Sequence, residues 1–159
     1  MTTLAVGVDL VEIGRVHRLL QRHRDRFRAR VFTPTELLIS RDRPHQLAAR
    51  FAAKEATMKA LGTGIRGVAW REIEVLPNRR GKPLLFLYGR ARERARTLGL
   101  SGLDVSLTHS REYALATVVG IQEKPPDDPE MERRWLLEWL QAAPDERQAM
   151  LKRQEGTSP

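Results

Sequence analysis

Two pairs of short apolar segments, each joined by a turn, commit much of this chain to antiparallel strand pairing. In the first pair, Ile73 and Val75 alternate with Glu72 and Glu74, and Pro77-Asn78-Arg79-Arg80-Gly81-Lys82-Pro83 leads into a second strand over 84–88. In the second pair, His109-Ser110-Arg111-Glu112 joins strands over 104–108 and 113–119. A parallel crossover needs a dozen or more residues, which neither turn supplies. Helical patterns lie before and between these hairpins. The fold class is therefore α+β and not a doubly wound parallel sheet.

The other elements follow from local pattern. Residues 4–11 form a continuous apolar run broken only by Gly7 and Asp9, and read as a buried strand. Residues 12–23 read as a helix with Ile13, Val16 and Leu20 on one face. Arg15, Arg18 and Arg22 then fall together as a basic stripe on another face. Thr33-Pro34-Thr35-Glu36 opens a short helix, with Thr33 as cap. Residues 46–61 are rich in Ala, Leu, Lys and Glu, good helix formers, and stop at Gly62-Thr63-Gly64. A short charged helix is expected over 89–98.

Lys124-Pro125-Pro126-Asp127-Asp128-Pro129 interrupts any helix or strand and divides the chain into 1–123 and a helical extension, 124–159. Charge changes there too. The net charge is +8, but the extension carries six basic and eight acidic residues, so the basicity belongs to the body. In the extension, Asp128 caps a helix whose Met131, Trp135 and Trp139 share a face that seeks a partner surface. A second helix starts near Pro144 and runs to Arg153, and fraying is expected from Gly156.

A basic body implies an anionic partner without choosing among nucleic acid, phosphorylated ligand, acidic protein and membrane surface. Aromatic content is only 6%, and no basic motif is interleaved with aromatics, which argues against nucleic acid. No run approaches the ~18 apolar residues of a membrane span, and the expected compartment is cytoplasmic. The absence of cysteine excludes disulfides, thiolate zinc sites and cysteine nucleophiles.

Several residues stand out chemically. Asp9 interrupts an apolar strand, where a carboxylate needs a cationic partner or a capping role, or serves as a metal ligand or a base. Arg50, Lys54, Glu55 and Lys59 crowd one helix, either as a solvated face or as a binding surface. His109 ends a strand, as a hydrogen-bonded hairpin residue or as a phosphate contact or proton carrier.

Their combination is more specific than any one of them. Gly7-Val8-Asp9-Leu10-Val11-Glu12-Ile13, Arg50-Phe51-Ala52-Ala53-Lys54-Glu55-Ala56, Lys59-Ala60-Leu61-Gly62-Thr63-Gly64, Gly81-Lys82-Pro83 and Ser106-Leu107-Thr108-His109-Ser110 occur in this order. The pattern resembles the holo-acyl-carrier-protein synthases, the small class of 4′-phosphopantetheinyl transferases. The resemblance implies a mainly antiparallel sheet packed on a long helix, in a homotrimer. It implies transfer of phosphopantetheine from coenzyme A to a serine of an acyl carrier protein, in fatty-acid biosynthesis. Asp9 and Glu55 fall on the metal-binding carboxylates, with magnesium as the cofactor, and Lys59 on a phosphate-neutralising position. Arg50, Lys54, Lys82 and His109 fall on nucleotide contacts, and Arg15, with Arg18 and Arg22 beside it, on a carrier-docking surface. Met58 stands where the family often has a small hydroxyl residue, which puts one coenzyme A contact in doubt.

Overall fold

In the computed structural model, which describes residues 2–123 and 128–155, the chain opens with strand β1 (Thr3–Glu12). Helices α1 (Ile13–Arg22), α2 (Arg24–Val31), α3 (Pro34–Ser40) and α4 (Pro44–Ala60) follow, then a short α5 (Gly64–Gly67). A 3-10 turn at Trp70–Glu72 leads into β2 (Ile73–Pro77) and β3 (Pro83–Leu87). After α6 (Gly89–Thr97) come β4 (Leu100–His109) and β5 (Tyr113–Gln122), and then α7 (Pro129–Gln141) and α8 (Pro144–Glu155). Both hairpins form, in two antiparallel sheets, β1-β5-β4 and β2-β3. The chain divides into two compact units, Met1–Lys124 and Pro125–Pro159. Residues 124–127 of the expected linker, and the segment from Gly156, lie outside the described residues.

A seam of small side chains sets how closely α4 approaches the three-stranded sheet. Ala52, Ala53 and Ala56 on the helix and Ala114 and Ala116 on β5 are fully buried. At Gly7 the fit has no slack, since a Cβ there would lie 1.8 Å from the Ala56 carbonyl oxygen. The inner face of β1 is thus Ala5, Gly7, Asp9 and Val11, all turned toward the helix. Alanine-rich composition, read in the sequence as helix propensity, serves here as a packing surface.

The expectation that β1 is buried on both faces is corrected. Leu4, Val6, Val8 and Leu10 point away from α4 and are 51–65% exposed, and Val119 and Ile121 of β5 continue this apolar surface. The helix α2 has no apolar periodicity to announce it, because it is dominated by arginines. It is held by Phe27, whose ring meets Phe32 edge-on at 6.0 Å and Phe51 at 6.1 Å.

On its other side α4 is fastened by buried charge. Lys54 is fully buried, and its Nζ lies 2.8 Å from Glu36 Oε2. The same ammonium donates to the carbonyls of Trp70, at 3.0 Å, and Ile73. Glu36 also accepts from the Thr33 and Val75 amides, each at 2.9 Å. Thr33 caps α3 as expected, in a full capping box, and its hydroxyl donates to Glu74, which Tyr88 also reaches. One turn before Lys54, Arg50 Nε donates to the Val75 carbonyl at 3.2 Å. The edge of β2 that does not face β3 is therefore satisfied by side chains of α3 and α4. Burial pulls Lys54 below the ordinary lysine value, and Glu36 opposes that pull.

In the second unit, Asp128 caps α7 by accepting from the Glu130 amide at 3.0 Å. Trp135 and Trp139 stack at 6.3 Å, and the Arg147 guanidinium of α8 lies 4.9 Å from the Trp139 ring centroid. Part of the tryptophan face is thus used within the helical hairpin, while Met131, Leu136 and Leu140 remain exposed.

Replacing Lys54 by Met should strand the Glu36 carboxylate and two carbonyls in the interior. Removing one partner of a buried pair costs about 3–5 kcal/mol. The variant should show a corresponding fall in urea unfolding free energy, and an unchanged unfolding midpoint would contradict the fastening role.

Candidate active site

Where β1 crosses α4, three of the expected residues meet. Lys59 Nζ donates to Asp9 Oδ1 at 2.9 Å and to the Val8 carbonyl at 2.8 Å. Glu55 precedes Lys59 by one turn and is half-buried on the same side of the helix. Asp9 is 8% exposed, and its Oδ2 is buried without a hydrogen-bond partner. Burial, and then the neighbouring Asp9 carboxylate, raise the proton affinity of Glu55, while Lys59 and Arg15 act in the opposite direction. An orphaned buried carboxylate oxygen beside a second carboxylate is suited to a cation. Among the described residues no group of three or more His, Asp and Glu side chains forms a complete metal cage. Two carboxylates suit magnesium, which commonly takes one or two from the protein and the rest from phosphates and water.

A second cluster lies at the other end of α4. Arg43, His45, Arg50, Gly81 and His109 line a cavity of about 380 Å³. Its wall is shaped by Asn78, whose side-chain oxygen accepts from the Arg80 and Lys82 amides at 2.8 and 3.0 Å, and by Gly81, with φ of +84°. Arg50 and His109 are brought together here. Asp9, Glu55 and Lys59 are not among the residues lining this cavity.

One expected nucleotide contact is corrected. Lys54 has its three protons committed to Glu36 and two carbonyls and is fully buried, so none is left for a phosphate. Lys82 is exposed and pairs with Asp104 at 2.8 Å on the surface, and the turn that carries it lends Gly81 and Pro83 to the cavity lining. Met58 is also not a surface substitution, because it packs with Leu61, Val68 and Ile73 in a second core. Arg15, Arg18 and Arg22 line one shallow exposed hollow on α1, with Arg18 3.4 Å from Glu12.

Arg43 and His45 were passed over in the sequence. The signal that marks them is electrostatic: both stand at the start of a 17-residue helix with no acidic residue in its first turn. Cations are disfavoured at that end of the helix dipole, so basic residues placed there point to an anion.

The match to the 4′-phosphopantetheinyl transferase superfamily model spans residues 5–118. The chain belongs to that superfamily. The holo-[acyl-carrier-protein] synthase of Herpetosiphon aurantiacus is 50% identical over 125 residues, covering 74% of this chain and 98% of that protein. The synthase of Moorella thermoacetica is 47% identical over 119 residues, 73% and 92% of the two chains. Among solved structures, the Neisseria meningitidis synthase superposes with TM-score 0.67 at 38% identity, over 73% of this chain and 96% of that one. The Helicobacter pylori synthase in complex with coenzyme A gives TM-score 0.67 at 29% identity, over 72% and 98%. The transferase fold is therefore an α+β body, and the superfamily match ends before the extension begins.

Proposed function

We infer that the chain transfers the 4′-phosphopantetheine group of coenzyme A to a serine of apo acyl carrier protein, releasing 3′,5′-ADP. The observation that carries this reading is the orphaned Asp9 Oδ2 beside Glu55 and Lys59, within a chain whose relatives are holo-acyl-carrier-protein synthases. Asp9 and Glu55 would hold a magnesium ion, which supplies positive charge to the pyrophosphate oxygens when bound. Lys59, already beside Asp9, adds a mobile cation that offsets charge on the β-phosphate. The carrier serine Oγ forms a bond to the β-phosphorus as the bond to the bridging oxygen breaks. The electron pair leaves on 3′,5′-ADP, and the serine proton passes to a carboxylate. Asp9 and Glu55 are the two carboxylates beside Lys59 that are placed to take it, directly or through a water.

The cavity lined by Arg50 and His109 would seat the nucleotide phosphates. The Arg15, Arg18 and Arg22 hollow would receive the acidic carrier. The apolar outer face of β1 and β5 supports a homotrimer, since other copies would cover it and bring together clusters that lie apart in one chain. The service of fatty-acid biosynthesis and a cytoplasmic location complete the reading; among the described residues no helix is long and apolar enough to cross a membrane. Residues 1–123 would form the transferase domain and 124–159 an appendage.

Incubation with apo carrier, coenzyme A and magnesium should add the phosphopantetheine mass to the carrier. Asp9→Ala and Glu55→Ala should each nearly abolish that gain with folding retained, and a chain ending at Glu123 should keep it. Full transfer by either alanine variant in saturating magnesium would overturn the assignment.

Exposed ion pairs are worth about 0.2–1 kcal/mol each and are screened by salt. Arg18→Glu with Arg22→Glu should therefore raise the carrier KM about two- to thirtyfold, more than the coenzyme A KM. These two are a cleaner test than Arg15, which also acts on Glu55. Equal changes in both KM values would count against this docking surface.

Sedimentation of the full chain at three times the protomer mass, shifted downward by Val6→Asp, is the outcome that fits the trimer. A monomer at micromolar concentration would exclude it.

A further inference from the structure

Two imidazole rings meet in the cavity at the start of α4. His45, in the first helical turn, and His109, at the end of β4, have ring centroids 4.9 Å apart and planes inclined by 43°. Arg43 precedes the helix, and Arg50, only 6% exposed, forms an inner wall with Nε and Nη1 bound to Val75 and Gln46. The residues lining the cavity include no carboxylate. From α3, β2 and the turn to β3 the cavity receives apolar side chains and backbone, so within one chain the groups that line it and carry charge are Arg43, His45, Arg50 and His109, with Glu36 of α3 acting on Arg50 from behind.

Glu36 offsets part of the Arg50 charge, but Arg43 and His109 lie against His45 with no acid among the described lining residues and repel a proton on its ring. The dipole of α4 adds to that repulsion at its N-terminal end. The effect on His45 is consistent with this arrangement: burial, His109 and Arg43 all lower its pKa from the ordinary histidine value. In the free chain the geometry favours shedding a proton from His45. A phosphate placed among these groups reverses the balance, because an anion stabilises imidazolium.

We propose that His45, its ring tilted against that of His109, makes nucleotide binding proton-linked: a phosphate group of the nucleotide and a proton from solvent enter this cavity together. The proposal rests on the reading of the cavity as the seat of the coenzyme A nucleotide. The proton is taken up on the His45 ring. His109 Nδ1 lies 3.3 Å from the Ser110 carbonyl, which holds that ring in place beside His45. Binding therefore tightens as pH falls through the histidine range and weakens as pH rises. One linked proton changes affinity by at most about tenfold per pH unit. His45 thus gives the pocket a preference for the doubly charged ligand state without contributing to phosphoryl transfer.

The test is calorimetric titration of the full chain with 3′,5′-ADP between about pH 5 and 8, in buffers of different ionisation enthalpy. The ligand phosphate titrates in the same range, so the quantity read is the difference between wild type and His45→Gln, in which the ligand contribution cancels. The wild type should take up more protons per bound nucleotide than His45→Gln near neutrality. The affinity lost on substitution should be larger at pH 6 than at pH 8. In parallel, the His45 ring resonance should move toward its imidazolium position when nucleotide is added. Equal proton uptake by wild type and His45→Gln at every pH would overturn the proposal. His109→Ala separates the two possible failures. If it weakens nucleotide binding while His45→Gln leaves proton uptake unchanged, only the role of His45 falls. If it leaves nucleotide affinity unchanged, the nucleotide sits elsewhere and the reading of the cavity falls with it.

Discussion

The buried pair of Lys54 and Glu36 is the constraint on which the arrangement of the body depends. It joins α4 to α3 and, through the Trp70 and Ile73 carbonyls and the Val75 amide, to the start of β2. Such a pair gains little net free energy over an apolar substitute, because desolvation offsets attraction. What it supplies is position. Arg50 uses the same side of the helix to reach Val75, so two long cations one turn apart hold a sheet edge that has no neighbouring strand. With the helix fixed from that side, a rotation of about 100° per residue carries Glu55 away from the interior network and toward Asp9. Adjacent residues in one motif thus divide between holding and reacting.

That division also explains what the sequence made legible. The fold class, the capped start at Thr33, both hairpins and the long helix follow from local rules, and each forms within a few residues of its expected bounds. The meeting of Asp9 with Lys59 was reachable only through resemblance, because nothing local joins residues fifty positions apart. Lys54 was misassigned because a lysine in a charged motif looks solvated until its partner is known, and Glu36 lies in a different helix. The helix α2 has no apolar stripe, and its aromatic anchor is a single Phe27.

The outer face of β1 shows a different limit. A run of apolar residues reads the same whether its second face is covered by the chain itself or by another copy. In the single chain the inner face of β1 is covered by α4 and the outer face is exposed. Arg43 and His45 were missed for a related reason: their oddity lies in being basic at a helix start, a relation between charge and direction that composition does not carry.

The contact between Gly7 and the Ala56 carbonyl has an evolutionary consequence. A seam built from glycine and alanine leaves almost no smaller residue to try and no room for a larger one. Single substitutions there cannot adjust the spacing of strand and helix by small steps, so the distance from Asp9 to its partners on α4 is effectively frozen. Diversification of such a chain must proceed where side chains end in open space: the arginine face of α1, the lip of the cavity near His45, and segments added after the last strand.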